Sequence, residues 1–206
     1  MTTKLKKIQV GPWPMNSYLI VCEDTGSCAI VDPGADIENI LSQAKGTNIE
    51  MILITHGHED HVGALTGLVE RIRKPVYMSR EDGDLFGIMY DIALVNNQQL
   101  VLGNTNIQVI HTPGHTPGMM CFSIGNNRIL VGDTIFVGGP GKTWSAEDFS
   151  TTMNTMMTIV FKWPDETIFY PGHGPEGRIG TERPSFMSFI NRGWSSDCYG
   201  DISWTL

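Results

Sequence analysis

The stretch Thr55-His56-Gly57-His58-Glu59-Asp60-His61 crowds three imidazoles and the Asp60 carboxylate into seven residues. It follows the apolar run Met51-Ile52-Leu53-Ile54 and precedes a helical stripe of Val62, Leu65, Leu68, Val69 and Ile72. Positions i and i+2 of an extended segment point the same way, so His56 and His58 converge on one point. Asp60 and His61 fall where the chain turns into the helix and face a second point. Imidazole and carboxylate donors suit zinc, iron or manganese. A histidine-rich surface turn is the ordinary alternative. Three further residues argue against it: His115 in His111-Thr112-Pro113-Gly114-His115, Asp133 after Ile129-Leu130-Val131-Gly132, and His173 after Ile168-Phe169-Tyr170-Pro171-Gly172. Each stands in a glycine-containing loop behind an apolar strand, and in layered α/β folds such loops gather on one edge and build the site. Glu59 reads as a carboxylate at a helix N-terminus, and His111 as a strand end facing solvent or a neighbouring loop.

The elements that must hold these loops alternate between short apolar runs and helical stripes. Tyr18–Cys22 and Ala29–Val31 read as buried strands around a turn at Asp24-Thr25-Gly26, stopped by Asp32-Pro33-Gly34. Ile37, Ile40, Leu41 and Ala44 share a helical face. Val76–Met78 is a short strand, and Leu85, Ile88 and Met89 suggest a short helix in the least patterned stretch, 80–99. The second half repeats the alternation, with strands at Ile107–Ile110, Met119–Ile124, Ile129–Val131 and Ile168–Tyr170. Its helical faces are Phe149, Met153, Met156, Met157 and Val160, then Phe186, Phe189 and Ile190. Strands followed by helices in both halves predict helix, sheet, sheet and helix layers around one core. The 206 residues are expected to form a single domain, 1–206.

Composition excludes several classes. Fourteen basic residues face 22 acidic ones, a net charge of −8, which argues against a nucleic-acid partner. No apolar run approaches the roughly 20 residues of a membrane span, and the N-terminus lacks the apolar core of a signal peptide. Cys22, Cys28, Cys121 and Cys198 form no C-x-x-C pair and read as buried thiols in a reducing cytoplasm, with a Cys22–Cys28 bridge across a hairpin as the alternative.

Together, Asp32-Pro33-Gly34, His56-x-His58-x-Asp60-His61, His115, Asp133 and His173 resemble the metallo-β-lactamase-fold hydrolase superfamily, in the family's order over residues 17–183. The resemblance implies an αβ/βα four-layer sandwich with a two-metal site at one edge. His56, His58 and His115 would hold the first metal. Asp60, His61 and His173 would hold the second, Asp133 would bridge both, and Asp32 would orient the ligand loops without binding metal. A bridging Asp133 looks like the glyoxalase II, lactonase, ribonuclease Z and persulfide dioxygenase branches rather than the β-lactamases. His58 stands where the oxygen-reducing diiron branch has a Glu, and the acidic charge and short chain disfavour ribonuclease Z. The loop Gly132–Lys142 is similar to that of glyoxalase II, where a basic residue at the position of Lys142 contacts substrate. Gly172-His173-Gly174-Pro175 with Ile179-Gly180-x-Glu182-Arg183 is similar to the short, bacterial glyoxalase II-like hydrolases. Longer glyoxalase II enzymes carry a helical C-terminal lobe that this sequence lacks, so the expected substrate is a thioester or related acyl ester rather than a glutathione conjugate specifically.

The implied cofactors are two divalent cations, with zinc the first expectation and iron or manganese open. Set about 3.5–4 Å apart, such cations bring the pKa of a shared water towards roughly 7. The hydroxide would attack the acyl carbonyl, with Asp60 helping to hold it as well as binding metal. A thiolate leaves without a strong general acid, and no G-x-S-x-G nucleophile elbow is present. Trp13, Trp144 and Trp194 are read as rim or core packing with a possible place along a pocket. Two other reactions share this ligand set, an iron-dependent persulfide dioxygenase and a lactonase; a non-catalytic metal-binding protein is the alternative from another class. The expected partner is a small-molecule acyl thioester, with no nucleic acid and no membrane; the oligomeric state stays open.

Overall fold

A computed structural model describes residues 2–205. Strands β1 (Thr3–Val10), β2 (Met15–Cys22) and β3 (Ser27–Val31) form an antiparallel meander. Helix α1 (Ile37–Gln43) then returns the chain so that β4 (Asn48–Leu53) runs parallel to β3. After β4 come two short helices, α2 (Glu59–Val62) and α3 (Leu65–Ile72), then β5 (Val76–Ser79), α4 (Arg80–Phe86) and β6 (Ile92–Leu94). These six strands make one sheet in sequence order. The second sheet is an antiparallel run of β7 (Gln99–Leu102), β8 (Thr105–His111), β9 (Met120–Ser123) and β10 (Arg128–Gly132). A small hairpin, β11 (Ile135–Phe136) with β12 (Gly139–Pro140), leads into helix α5 (Ala146–Thr158). Strand β13 (Ile168–Pro171) lies parallel to β10, followed by β14 (Gly177–Arg178) and α6 (Ile179–Arg192).

Residue alternation sorts the core into three layers. On β2, Tyr18 and Ile20 face the space between the sheets, where they meet Val109, Phe122 and Leu130. Their neighbours Leu19 and Val21 face outwards towards Ile40, Leu65 and Leu68 of α1 and α3. On β10, Leu130 points to the inter-sheet layer while Ile129 and Val131 pack under Phe149, Met153, Phe186 and Phe189 of α5 and α6. The period of two along each strand thus produces the helix–sheet–sheet–helix order read from the sequence.

Some elements differ from the sequence reading for identifiable reasons. The stripe Val62–Ile72 is broken at Gly63-Ala64, because the chain there docks on the loop after β3: Ala64 N–H donates to the Pro33 carbonyl at 3.0 Å. The helix expected near Leu85–Met89 lies earlier, at 80–86, capped by Ser79 Oγ on Asp82 N–H and stopped by Gly87 in the left-handed region. The four cysteines are free thiols, so no bridge spans the β2–β3 hairpin. Among the described residues no helix is long and apolar enough to cross a membrane.

Candidate metal centre

The loops after β3, β4, β8, β10 and β13 meet at one edge of the sandwich and bring all seven expected ligands together. One group is His56, His58 and His115; another is Asp60, His61 and His173; a third, His56, His61 and Asp133, links them. Within each group the donor atoms lie within 4.8 Å of one another. Asp133 faces both poles, with Oδ2 3.7 Å from His115 Nε2 and Oδ1 3.4 Å from His61 Nε2. His173 Nε2 stands 3.8 Å from Asp133 Oδ2 and 2.9 Å from Asp60 Oδ2.

The outward ring nitrogens explain why the inward ones are free. Thr55 Oγ–H donates to Asp32 Oδ2 at 2.6 Å, so the same oxygen accepts from His56 Nδ1 at 3.0 Å. His61 Nδ1–H donates to Asp32 Oδ2 at 3.0 Å, and His115 Nδ1–H to the Lys142 carbonyl at 2.8 Å. His173 Nδ1 is held by the Pro14 carbonyl at 3.3 Å. Each contact places a proton on Nδ1 and so makes Nε2 the nitrogen that faces the centre. His58 alone turns Nδ1 inwards, 3.0 Å from both His56 Nε2 and His115 Nε2.

This donor set fits divalent cations. Three imidazoles converge with ring nitrogens 3.0 Å apart, an arrangement that a cation set between them would satisfy. His61 Nε2 and Asp133 Oδ1 are buried and make no hydrogen bond of their own, although buried polar atoms normally find a partner. Burial pushes His115 down to about 4 and lowers His56 and His58 as well, keeping all three uncharged at neutral pH. The second pole is polarised oppositely. Burial works against a charged His61, but the Asp133 and Asp32 carboxylates outweigh it and hold its pKa at about 10. The hydrogen bond from His173 brings Asp60 down to about 2, and the same contact raises His173.

The backbone around the ligands is tightly fixed. Asp32 adopts φ +49°, a left-handed conformation uncommon outside glycine. It is held there by Thr55 N–H on Oδ1 at 2.7 Å and by its two contacts on Oδ2. Gly172 must be glycine for a different reason: a Cβ there would fall inside contact distance of Asp133 Oδ1 and His61 Cε1.

Four supporting residues carry little signal in the sequence. Asn16, fully buried on β2, donates from Nδ2 to the Pro171 and Gly174 carbonyls at 3.0 and 2.9 Å and so anchors the His173 loop across the sheets. Its one advertisement is a polar residue within an apolar strand. Phe86 and Trp144 flank His58, with ring centroids 5.3 and 5.1 Å away. Asp82 contacts both loops of the first pole, as developed below. Several singled-out residues stand elsewhere. His111 Nε2 is 2.8 Å from the Pro117 carbonyl, outside the ligand groups, and Glu59 is exposed at the start of α2. Glu182 accepts from Gly138 N–H at 2.8 Å, and Arg183 ties to the Trp163 carbonyl at 2.9 Å; both brace α6. Trp194 stacks on Phe189, while Trp13 is exposed.

Two openings reach the centre. A cavity of about 310 Å³ is lined by His115, Asp133, His173, Phe136, Lys142 and Ile202. A larger groove of about 1030 Å³ passes Trp13 and meets the ligands only at Asp60. The first touches ligands of both poles and is the one placed to receive a reacting group. Lys142 stands at its mouth, half exposed, with Nζ 3.8 Å from Asp201 Oδ2.

Comparison with known proteins agrees with this geometry. Residues 10–173 match the model of the metallo-beta-lactamase superfamily. Hydroxyacylglutathione hydrolase GloC of Haemophilus influenzae is 31% identical over 194 residues, 84% of this chain and 91% of that protein. The crystal structure of BLEG-1 B3 metallo-beta-lactamase superposes with a TM-score of 0.78 at 28% identity, covering 88% of this chain and 97% of that one. A di-iron-bound form of TTHA1623 gives a TM-score of 0.71 at 28% identity, covering 86% and 96%. Family match, sandwich and shared-carboxylate ligand cluster lead to one assignment: the chain belongs to the metallo-beta-lactamase superfamily, a family of metal-binding proteins that are mostly hydrolases, and resembles its glyoxalase II-like branch.

Proposed function

We propose that this protein is a dinuclear metal-dependent hydrolase of acyl thioesters. The observation that carries the reading is Asp133, a buried carboxylate shared between the His56/His58/His115 pole and the Asp60/His61/His173 pole. Bound there, two divalent cations supply Lewis acidity and bring a water's pKa near neutrality. Zinc suits the nitrogen-rich first pole, and the similarity to a di-iron form keeps iron among the candidates.

The chain's own residues supply positioning and charge. Asp60, anionic far below neutral pH, accepts from His173 and would help to hold an attacking water. The hydrogen bonds at the outward ring nitrogens keep the imidazoles from turning. Phe136 and Ile202 give the small cavity an apolar lining, and Lys142 at its mouth offers a cation to a carboxylate on the substrate. A thiolate leaves unprotonated at neutral pH far more readily than an alkoxide, so the site's lack of an uncommitted acid suits a thioester. The similarity to a hydroxyacylglutathione hydrolase supports the same substrate class. Free thiols and a net charge of −8 support a cytoplasmic enzyme of small molecules with no nucleic-acid partner.

The test is a substrate panel on zinc-loaded protein: small acyl thioesters, lactones, a β-lactam, and a persulfide followed by oxygen uptake. Thioester cleavage that stops with a chelator and returns with zinc is expected. Turnover of lactones alone would replace the reading with a lactonase. Oxygen uptake on persulfide with one iron per chain would replace it with a dioxygenase.

A further inference from the structure

Asp82, on α4, belongs to no ligand group and has no place in the motif that identifies the family, yet it is fully buried beneath the first pole. Its Oδ2 accepts from Gly57 N–H at 3.1 Å and from Thr116 Oγ–H at 2.7 Å, and its Oδ1 accepts from Gly118 N–H at 2.6 Å. Gly57 lies between His56 and His58; Thr116 and Gly118 follow His115. All three contacts therefore end on the two loops that carry the first pole's three ligands. Every partner is a donor, the pattern of an ionised carboxylate, and these contacts work against the burial that raises its pKa. Ser79 Oγ caps the Asp82 N–H at 3.3 Å and fixes the first turn of α4. A Cβ on Gly118 would overlap Ser79 Oγ and Asp82 Oδ1, so the His115 loop lies directly on this carboxylate.

We propose that Asp82 is the positioning residue of the first metal pole, joining the His56/His58 loop to the His115 loop and placing a buried negative charge beneath three uncharged ligands. Asp32 holds His61 of the second pole directly and reaches His56 of the first only through Thr55 Oγ. The division of labour follows from the ligands. The second pole has Asp60 as its own anion, whereas the first pole has three neutral imidazoles and shares only Asp133. A cation bound to neutral ligands in a low-dielectric site gains from a fixed carboxylate nearby, and loss of such an outer partner costs about 10–100-fold in metal affinity.

The inference rests on the two-cation reading, and one experiment separates the two. Metal-free wild type, Asp82→Asn and Asp32→Asn are titrated with Co(II), following visible absorption against a competing chelator. His58→Ala and His173→Ala assign the bands to the first and second poles. Wild type binding fewer than two Co(II) ions refutes the two-cation reading itself. With two bound, Asp82→Asn is expected to weaken the first pole about 10–100-fold, leave the second within about threefold, and regain turnover as the cation concentration rises. Asp32→Asn shows the reverse preference. Asp82→Asn that binds both ions as wild type does, or weakens both poles equally, overturns the role. If that variant fails to fold, Thr116→Val, which removes one contact and keeps the carboxylate, decides: selective weakening of the first pole supports the role and unchanged affinity there overturns it.

Discussion

The opposite polarisation of the two poles predicts that their cations respond differently to pH. In the metal-free protein His61 is held at about 10 by Asp133 and Asp32, so it carries a proton at pH 7 that a cation must displace. The three-unit gap corresponds to about 4 kcal/mol taken from the second cation's intrinsic binding energy at pH 7. Below its pKa, each unit of rising pH lowers that cost tenfold in the binding constant. The hydrogen bond to Asp60 raises His173 as well, which acts in the same direction. At the first pole burial holds His115 near 4 and lowers His56 and His58 as well, so protons compete less with a cation there. Between pH 6 and 8 the second-pole cation should therefore tighten by about 100-fold, and the first by much less. Zinc titration calorimetry in buffers of different ionisation enthalpy measures the protons released by each cation, and chelator competition at pH 6, 7 and 8 measures the affinities. Equal slopes at the two poles, or no proton release with the second cation, would refute the electrostatic account.

Asp133→Ala removes the donor common to both poles and should lower thioester turnover by at least about a thousandfold, with metal analysis showing loss of the paired cations. Gly172→Ala forces a methyl against Asp133 and His61 and should reduce both second-pole affinity and turnover more than tenfold; steady-state rates across a zinc titration measure both. Asn16→Ala removes the side-chain donor to the Pro171 and Gly174 carbonyls and should cost about 1 kcal/mol of stability in denaturant unfolding of the metal-free protein.

Much of this architecture is legible in the sequence because burial has a period. The two-residue alternation on β2 and β10 and the helical faces of α1, α5 and α6 name the layers before any coordinate does. The proposed ligands are legible because His56, His58, Asp60 and His61 have no packing reason to stand together. What stays hidden depends on long-range partners. The break at Gly63 follows from docking on the Asp32–Gly34 loop, far away in sequence. Asn16 acts on residues about 155 positions away, and Asp82 lies in the least patterned stretch and works through backbone N–H groups of two other loops. Short strands such as β11 and β12, two residues each, carry too few side chains to show a period.

The central claim is that turnover needs both poles, joined through Asp133. Metal-free protein titrated stepwise with zinc, with bound metal and thioester hydrolysis read on the same samples, tests it most directly. The account predicts two tightly bound zinc ions per chain, with hydrolysis rising as the second equivalent fills. Full hydrolysis at one equivalent, or two bound ions with no thioester cleavage, would contradict it.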